Sequence, residues 1–119
     1  MIVGTGIDII ELNRIKKAAL HQERFSNRIL TPFEQKRFES LNGNRKYEYL
    51  AGRFAAKEAM AKALGVGIGA ELSWHDMEIK SDEKGKPFIT SPYPYLCHVS
   101  ISHTKEYAVA QVILESSSS

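Results

Sequence analysis

At 119 residues the chain is long enough for one domain and too short for two comfortable ones. Its 43% hydrophobic and 25% charged residues are those of an ordinary globular chain, which excludes extended disorder and a membrane bundle. A net charge of +2 is too weak to argue for nucleic acid, and the single cysteine, Cys97, excludes an internal disulfide and a thiolate metal cluster.

The first stretch, "MIVGTGIDII", is apolar but only about a strand long. It lacks a basic n-region and a cleavage site, so it reads as structure and not as a signal peptide. Residues 2 to 10 are expected as a buried strand, rich in Ile and Val. "ELNRIKKAAL" follows as a helix with Leu12, Ile15, Ala19 and Leu20 on one side, and "RFSNRIL" as a helical turn. "TPFEQKRFESL" has a clear helix start: Thr31 at the N-cap, Pro32 at the first helical position, Glu34 three residues after the cap. After the break at "NGN", a long central helix is expected from about Arg45 to Leu64, ended by Gly65, with "GVGIG" as a flexible exit. "WHDMEIKS" and "KPFIT" read as two strands of a hairpin turning at "DEKG". "LCHVSISHT" and "EYAVAQVILE" read as the last pair of strands, and Ser116 to Ser119 as a disordered tail.

A strand, then helices, then several strands, without βαβ alternation, predicts an α+β fold: helices packed on a mainly antiparallel sheet in one domain over 1–119. No apolar run approaches the ~20 residues of a membrane span. The last strand is apolar on one face (Ala108, Ala110, Val112, Leu114) and mostly apolar on the other (Tyr107, Val109, Ile113). Either another subunit covers the second face, or the strand is central between the helix layer and a loop.

Asp8 stands between Ile7 and Ile9, where an unpaired carboxylate would cost several kcal/mol, on the order of a lost solvation shell. It must be exposed at a bend, paired with a base, or bound to a metal. Gly4 and Gly6 before it permit close approach of a ligand or of backbone. On the long helix Leu50, Phe54, Glu58 and Lys62 share one stripe, so two apolar side chains lead into two charges. An i,i+4 ion pair is the plain explanation. The other is that the stripe opens into a cleft, where a carboxylate and an ammonium serve as metal ligand and phosphate clamp. His103 ends the apolar parity of "HVSIS", as a satisfied core residue or as a site residue, and His21, His75 and His98 share no zinc-type spacing with it.

Most of the lysines and arginines fall between residues 13 and 62, which suits an acidic partner or a phosphate-bearing ligand, with a solvated helical surface as the alternative. Hard carboxylate ligands without cysteine suit Mg²⁺, which completes its shell with phosphate and water. No Walker A motif or dinucleotide fingerprint is present. The residues themselves therefore leave three readings: phosphoryl transfer, a Mg²⁺-dependent nucleotide pyrophosphatase, or a non-enzymatic module docking an acidic protein.

"GIDIIELNRI", "RFSNRILTPFE", "LAGRFAAKEAMAKALG", "EKGKP" and "HVSISHTKEYAVAQVILE", in that order, closely resemble the holo-acyl-carrier-protein synthase family of bacterial 4'-phosphopantetheinyl transferases. The resemblance runs from residue 1 to about 115, departing at Val66 of "GVG" and at Met60 after "KEA". It implies transfer of the phosphopantetheine arm of coenzyme A to a serine of acyl carrier protein, in the cytoplasm, for fatty acid biosynthesis. It implies Mg²⁺ on Asp8 and Glu58, Lys62 at the phosphates and His103 near the coenzyme. Arg14, Arg24 and Arg28, with Phe25 among them, would face the acidic carrier. It also implies a homotrimer with the coenzyme between neighbouring subunits. Arg45 and Arg53 are the expected partners of the adenosine 3'-phosphate, since a guanidinium forks onto phosphate oxygens. Gly65, Gly85, Pro87 and Thr104 complete the expected coenzyme contacts.

Overall fold

The computed structural model describes residues 1–117. Five strands and four α-helices follow in the order β1 (Ile2–Glu11), α1 (Leu12–His21), α2 (Phe25–Ile29), α3 (Pro32–Ser40), α4 (Asn44–Leu64), β2 (Glu78–Ser81), β3 (Pro87–Thr90), β4 (Tyr95–His103) and β5 (Tyr107–Ser116). Strands β1, β5 and β4 form an antiparallel sheet in that order, and β2 and β3 form a separate hairpin. The α+β architecture with one long central helix is the expected one.

Helix α4 lies across β1 and β5, and the core sits between them. Ala108, Ala110, Val112 and Leu114 of β5 point inward to meet Leu50, Ala55, Ala59 and Met60 of α4. The approach is so close that a Cβ on Gly4 or Gly6 would run into the carbonyl oxygens of Ala63 and Ala59. The alanines of α4 and the glycines of β1 are therefore two sides of one contact, which larger side chains would hold apart.

That contact inverts the expected burial of β1. The helix-facing positions go to Gly4, Gly6, Asp8 and Ile10, and the bulkier Ile7 and Ile9 point outward, 60% and 62% exposed. β5 is central between β1 and β4, with Ala110 opposite Asp8 and Ala108 opposite His103. No loop in the described chain buries Ile7 and Ile9 on the sheet's outer face, and Val109 and Ile113 there are only half-buried.

Local signals account for the boundaries. Thr31 and Glu34 form the capping box at the start of α3, with Thr31 N donating to Glu34 Oε1 at 2.9 Å. Gly65 closes α4 in the left-handed conformation, φ +75°. Three expectations need correction. "WHD" is a 3₁₀ turn, Trp74–Asp76, because Ser73 and Asp76 cap each other's backbone and leave only Glu78–Ser81 extended. Leu20 is exposed, since α1 turns that flank away from α4. Ser116 belongs to β5, bonded to Met1 O, and Ser117 donates to Pro94 O at 2.9 Å. The rest of the expected tail, 118–119, lies outside the described residues.

Candidate active site

The even-numbered face of β1 and the C-terminal half of α4 bring Asp8, Glu58 and Lys62 together. Lys62 Nζ donates to Asp8 Oδ1 at 3.1 Å and to the Ile7 carbonyl at 3.0 Å. Among the described residues it makes no ion pair with Glu58, so the i,i+4 explanation of the charged stripe does not hold. The stripe does leave the core stepwise: Leu50 is fully buried, Phe54 and Glu58 are half-buried, and Lys62 is exposed. Lys62 edges an open depression of about 390 Å³ lined also by Thr5, Gly6, Ile7 and Gln111. Glu58 feels both neighbours. Burial raises its carboxyl pKa, the Asp8 charge raises it further, and Lys62 opposes both.

A second group gathers at the other end of α4. Arg37, Arg45, Glu48, Arg53, Ile101 and His103 line a pocket of about 210 Å³. His103 is half exposed, with Nδ1 3.8 Å from Glu48 Oε2, so it is not a satisfied core histidine: the strand ends there and its side chain passes the rim of α4. The Arg53 guanidinium lies over the Tyr49 ring at 4.2 Å, and its Nε has no hydrogen-bond partner. No hydrogen bond or ion pair among the described residues connects this pocket with the Asp8 group.

The remaining expected residues are dispersed. Gly85, φ +82°, forms the tight turn into Pro87 at the start of β3, braced by Asp82 Oδ1 accepting from Lys84 N and Lys86 N. Thr104 Oγ1 accepts from Glu106 N and Tyr107 N in the β4–β5 turn. Arg14 is exposed on α1, and Arg24 and Arg28 flank Asn27 on an open surface around α2. Phe25 is partly buried, stacked 6.4 Å from Phe54, which in turn meets Trp74 at 5.2 Å. Met60 is a core residue, with Cys97 Sγ 3.6 Å from its sulfur, and burial pushes that thiol up to about 11.

Sequence reasoning missed the residue next to Glu58. Lys57 is wholly buried, and its ammonium donates to Glu34 Oε1 at 2.6 Å, to Ile29 O at 2.7 Å and to Trp74 O at 3.2 Å. Glu34, also wholly buried, accepts from Thr31 N and from Ile79 N. Burial lowers the Lys57 pKa and Glu34 counteracts it. One pair thus ties α3, the end of α2, the 3₁₀ turn and β2 to the helix that presents Glu58 and Lys62. A signal existed: Leu50, Lys57 and Leu64 repeat every seven residues, which places a lysine on an apolar line.

Two carboxylates and an ammonium at an open edge, with an arginine pocket elsewhere on the same helix, are residue types that suit a phosphorylated ligand. The family model of the 4'-phosphopantetheinyl transferase superfamily matches residues 4–112, and the chain belongs to that family. Holo-(acyl-carrier-protein) synthase of Anoxybacillus flavithermus is 59% identical over 120 residues, covering 100% of both chains. The enzyme of that name from Shouchella clausii is 58% identical over 116 residues, 97% of this chain and 99% of its own. Among solved structures, a holo-(acyl-carrier-protein) synthase from Bacillus anthracis in complex with CoA (3',5'-ADP) matches with a TM-score of 0.93 at 55% identity, covering 98% of this chain and 99% of that one. The Helicobacter pylori enzyme in complex with coenzyme A matches with a TM-score of 0.82 at 36% identity, covering 93% and 99%.

Proposed function

We propose that the chain, as one domain acting in the cytoplasm, transfers the 4'-phosphopantetheine arm of coenzyme A to a serine of apo-acyl carrier protein. The observation that supports this best is the meeting of Asp8, Glu58 and Lys62 at the β1–α4 edge of a chain similar end to end to enzymes of that name. In the reaction the serine oxygen bonds to the β-phosphorus, the bridging P–O bond breaks, and adenosine 3',5'-bisphosphate leaves.

The site residues fit Mg²⁺. The donors are hard oxygens, and the two carboxylates are close enough for Asp8 to raise the proton affinity of Glu58, so a cation between them would be welcome. Among the described residues no third carboxylate or histidine joins them, which leaves positions for phosphate and water. When bound, the ion supplies charge neutralisation to the pyrophosphate. Asp8 is held by β1, so it fixes where that charge sits. Burial and the Asp8 charge raise the proton affinity of Glu58, which suits it to take the serine proton. Lys62 is exposed enough to reach the departing α-phosphate and donate to it.

Arg45, Arg53 and His103 would hold the adenosine 3'-phosphate, with Gly65, Gly85, Pro87 and Thr104 bordering the coenzyme. Their separation from the Asp8 group within one chain supports a site completed between two copies. The exposed Ile7 and Ile9 on the sheet's outer face supply apolar surface for a contact between copies, in keeping with the homotrimer that the resemblance implies. Sedimentation should give a trimer, and a purely monomeric yet active enzyme would contradict an interfacial site. The acidic carrier would dock on Arg14, Arg24 and Arg28, with the partly buried Phe25 among them.

The test is to incubate the protein with coenzyme A, apo-carrier and Mg²⁺, and to weigh the carrier. A mass gain of one phosphopantetheine arm supports transfer. Coenzyme cleavage without a mass gain would make the chain a pyrophosphatase, and binding alone would make it a docking module.

A further inference from the structure

We infer that Lys62 is the internal counter-ion of Asp8 before loading, and that it leaves Asp8 for the substrate pyrophosphate when a divalent cation binds. Cation and coenzyme binding are then coupled through one side chain. This rests on the transferase reading above.

Both acceptors of Lys62 lie on β1: Asp8 Oδ1 at 3.1 Å and Ile7 O at 3.0 Å. The ammonium has crossed to the strand although Glu58 stands one turn back on its own helix. In this state Oδ1 of Asp8 is already paired with a positive charge, with which an arriving cation must compete.

The partner that moves is set by burial. The Asp8 side chain is only 16% exposed, on a strand paired to Ala110 and pressed by Gly6 against Ala59. Lys62 is 54% exposed, on a flexible four-carbon stem beside the depression lined by Thr5, Gly6 and Gln111. Asp8 stays and Lys62 swings.

Charge explains why the swing needs a phosphate. Two carboxylates and one ammonium leave a single net negative charge. A divalent cation added to that set leaves a net positive charge with Lys62 beside it, which is unfavourable until a phosphate oxygen accepts the displaced ammonium. The cation therefore strengthens coenzyme binding, and by reciprocity the coenzyme strengthens cation binding by the same factor.

The experiment titrates Mn²⁺, read as free ion by electron paramagnetic resonance at ~0.15 M salt, where distant surface charges are screened. Wild type, Lys62→Met and Lys36→Met are compared, each without and with coenzyme A. Lys36 is an exposed lysine of α3 that makes no ion pair among the described residues, so it reports the general effect of losing a charge. Without coenzyme, Lys62→Met should bind Mn²⁺ about three- to fivefold more tightly than wild type, as expected for loss of a competing partly exposed pair. Lys36→Met should match wild type. Coenzyme A should tighten Mn²⁺ binding to wild type by a larger factor than to Lys62→Met. The exchange is overturned if Lys62→Met without coenzyme binds Mn²⁺ no better than wild type, if Lys36→Met gains as much, or if coenzyme tightens both proteins equally. A wild type that still adds the arm to its carrier in those cases keeps the transferase reading intact. A wild type that adds none sinks both.

Discussion

Lys57 and Lys62 stand little more than a turn apart on α4, and each reaches a carboxylate distant in sequence. Lys57 and Glu34 are wholly buried at 2.6 Å, and every other bond their side chains make among the described residues is to backbone. Lys62 and Asp8 meet at 3.1 Å at an open edge, with the ammonium half in solvent. The first pair has little room to rearrange, since any movement would strand a buried charge. The second has both a partner and a way out. Burial separates a pair that holds the helix from a pair that can trade partners. The helix needs both, because Glu58 and Lys62 are only as well placed as α4 itself.

The strongest way to break the comparison is to cut the buried pair. Lys57→Met leaves the Glu34 carboxylate buried without its cation and should cost about 3–5 kcal/mol of folding stability by chemical denaturation. Adding Glu34→Gln should restore part of it, because the amide oxygen can still accept from Thr31 N or Ile79 N. A loss under about 1 kcal/mol for Lys57→Met would put that pair in the same class as an exposed one.

Further from α4, the comparison sharpens through exposed charge. Arg14→Glu should weaken carrier binding about tenfold, in a salt-sensitive way, with coenzyme binding little changed. Equal loss for both substrates would remove Arg14 from the carrier surface.

The smallest effect is a gain. Burial, and then the Asp8 charge, raise the Glu58 pKa, so the folded chain holds that proton more tightly than the unfolded chain. The associated stability is present below the ordinary glutamate range and is lost as pH rises through the raised value. Glu58→Gln should therefore raise Tm at neutral pH, and the gain should fade as the buffer is acidified to below the ordinary glutamate range. An unchanged or lower Tm at neutral pH would mean that Glu58 ionises without cost. A gain would mean that the folded chain gives up stability to keep a working carboxylate at that edge.

Much of this was legible in local sequence. The capping box at Thr31 and Glu34, the glycine stop at Gly65 and the stripe ending in Glu58 and Lys62 all depend on neighbours within a few residues. What local pattern could not supply was the identity of distant partners. The cap explains Glu34 by its nearest neighbours alone, whereas its bond to Lys57, and with it the core position of Lys57, joins residues 23 apart in the chain. The outward turn of Ile7 and Ile9 was hidden for a related reason. Composition says that β1 is apolar, but the choice of face belongs to the helix, which comes close enough to admit only glycine. "WHD" extended the strand pattern one turn too far because its own side chains capped it.

The most direct measurement compares wild type with Asp8→Ala by weighing apo-carrier protein after incubation with coenzyme A and Mg²⁺. Asp8→Ala removes a carboxylate without adding bulk against Ala59, and its only ion partner among the described residues, Lys62, is half in solvent, so the variant should keep its fold by circular dichroism. Wild type should convert the carrier to a species heavier by one phosphopantetheine arm, and Asp8→Ala should be slower by about a thousandfold or more, the scale of losing a charge-stabilising group at a reacting phosphate. Equal mass gain by both proteins would contradict the central claim that the Asp8, Glu58 and Lys62 edge performs the transfer.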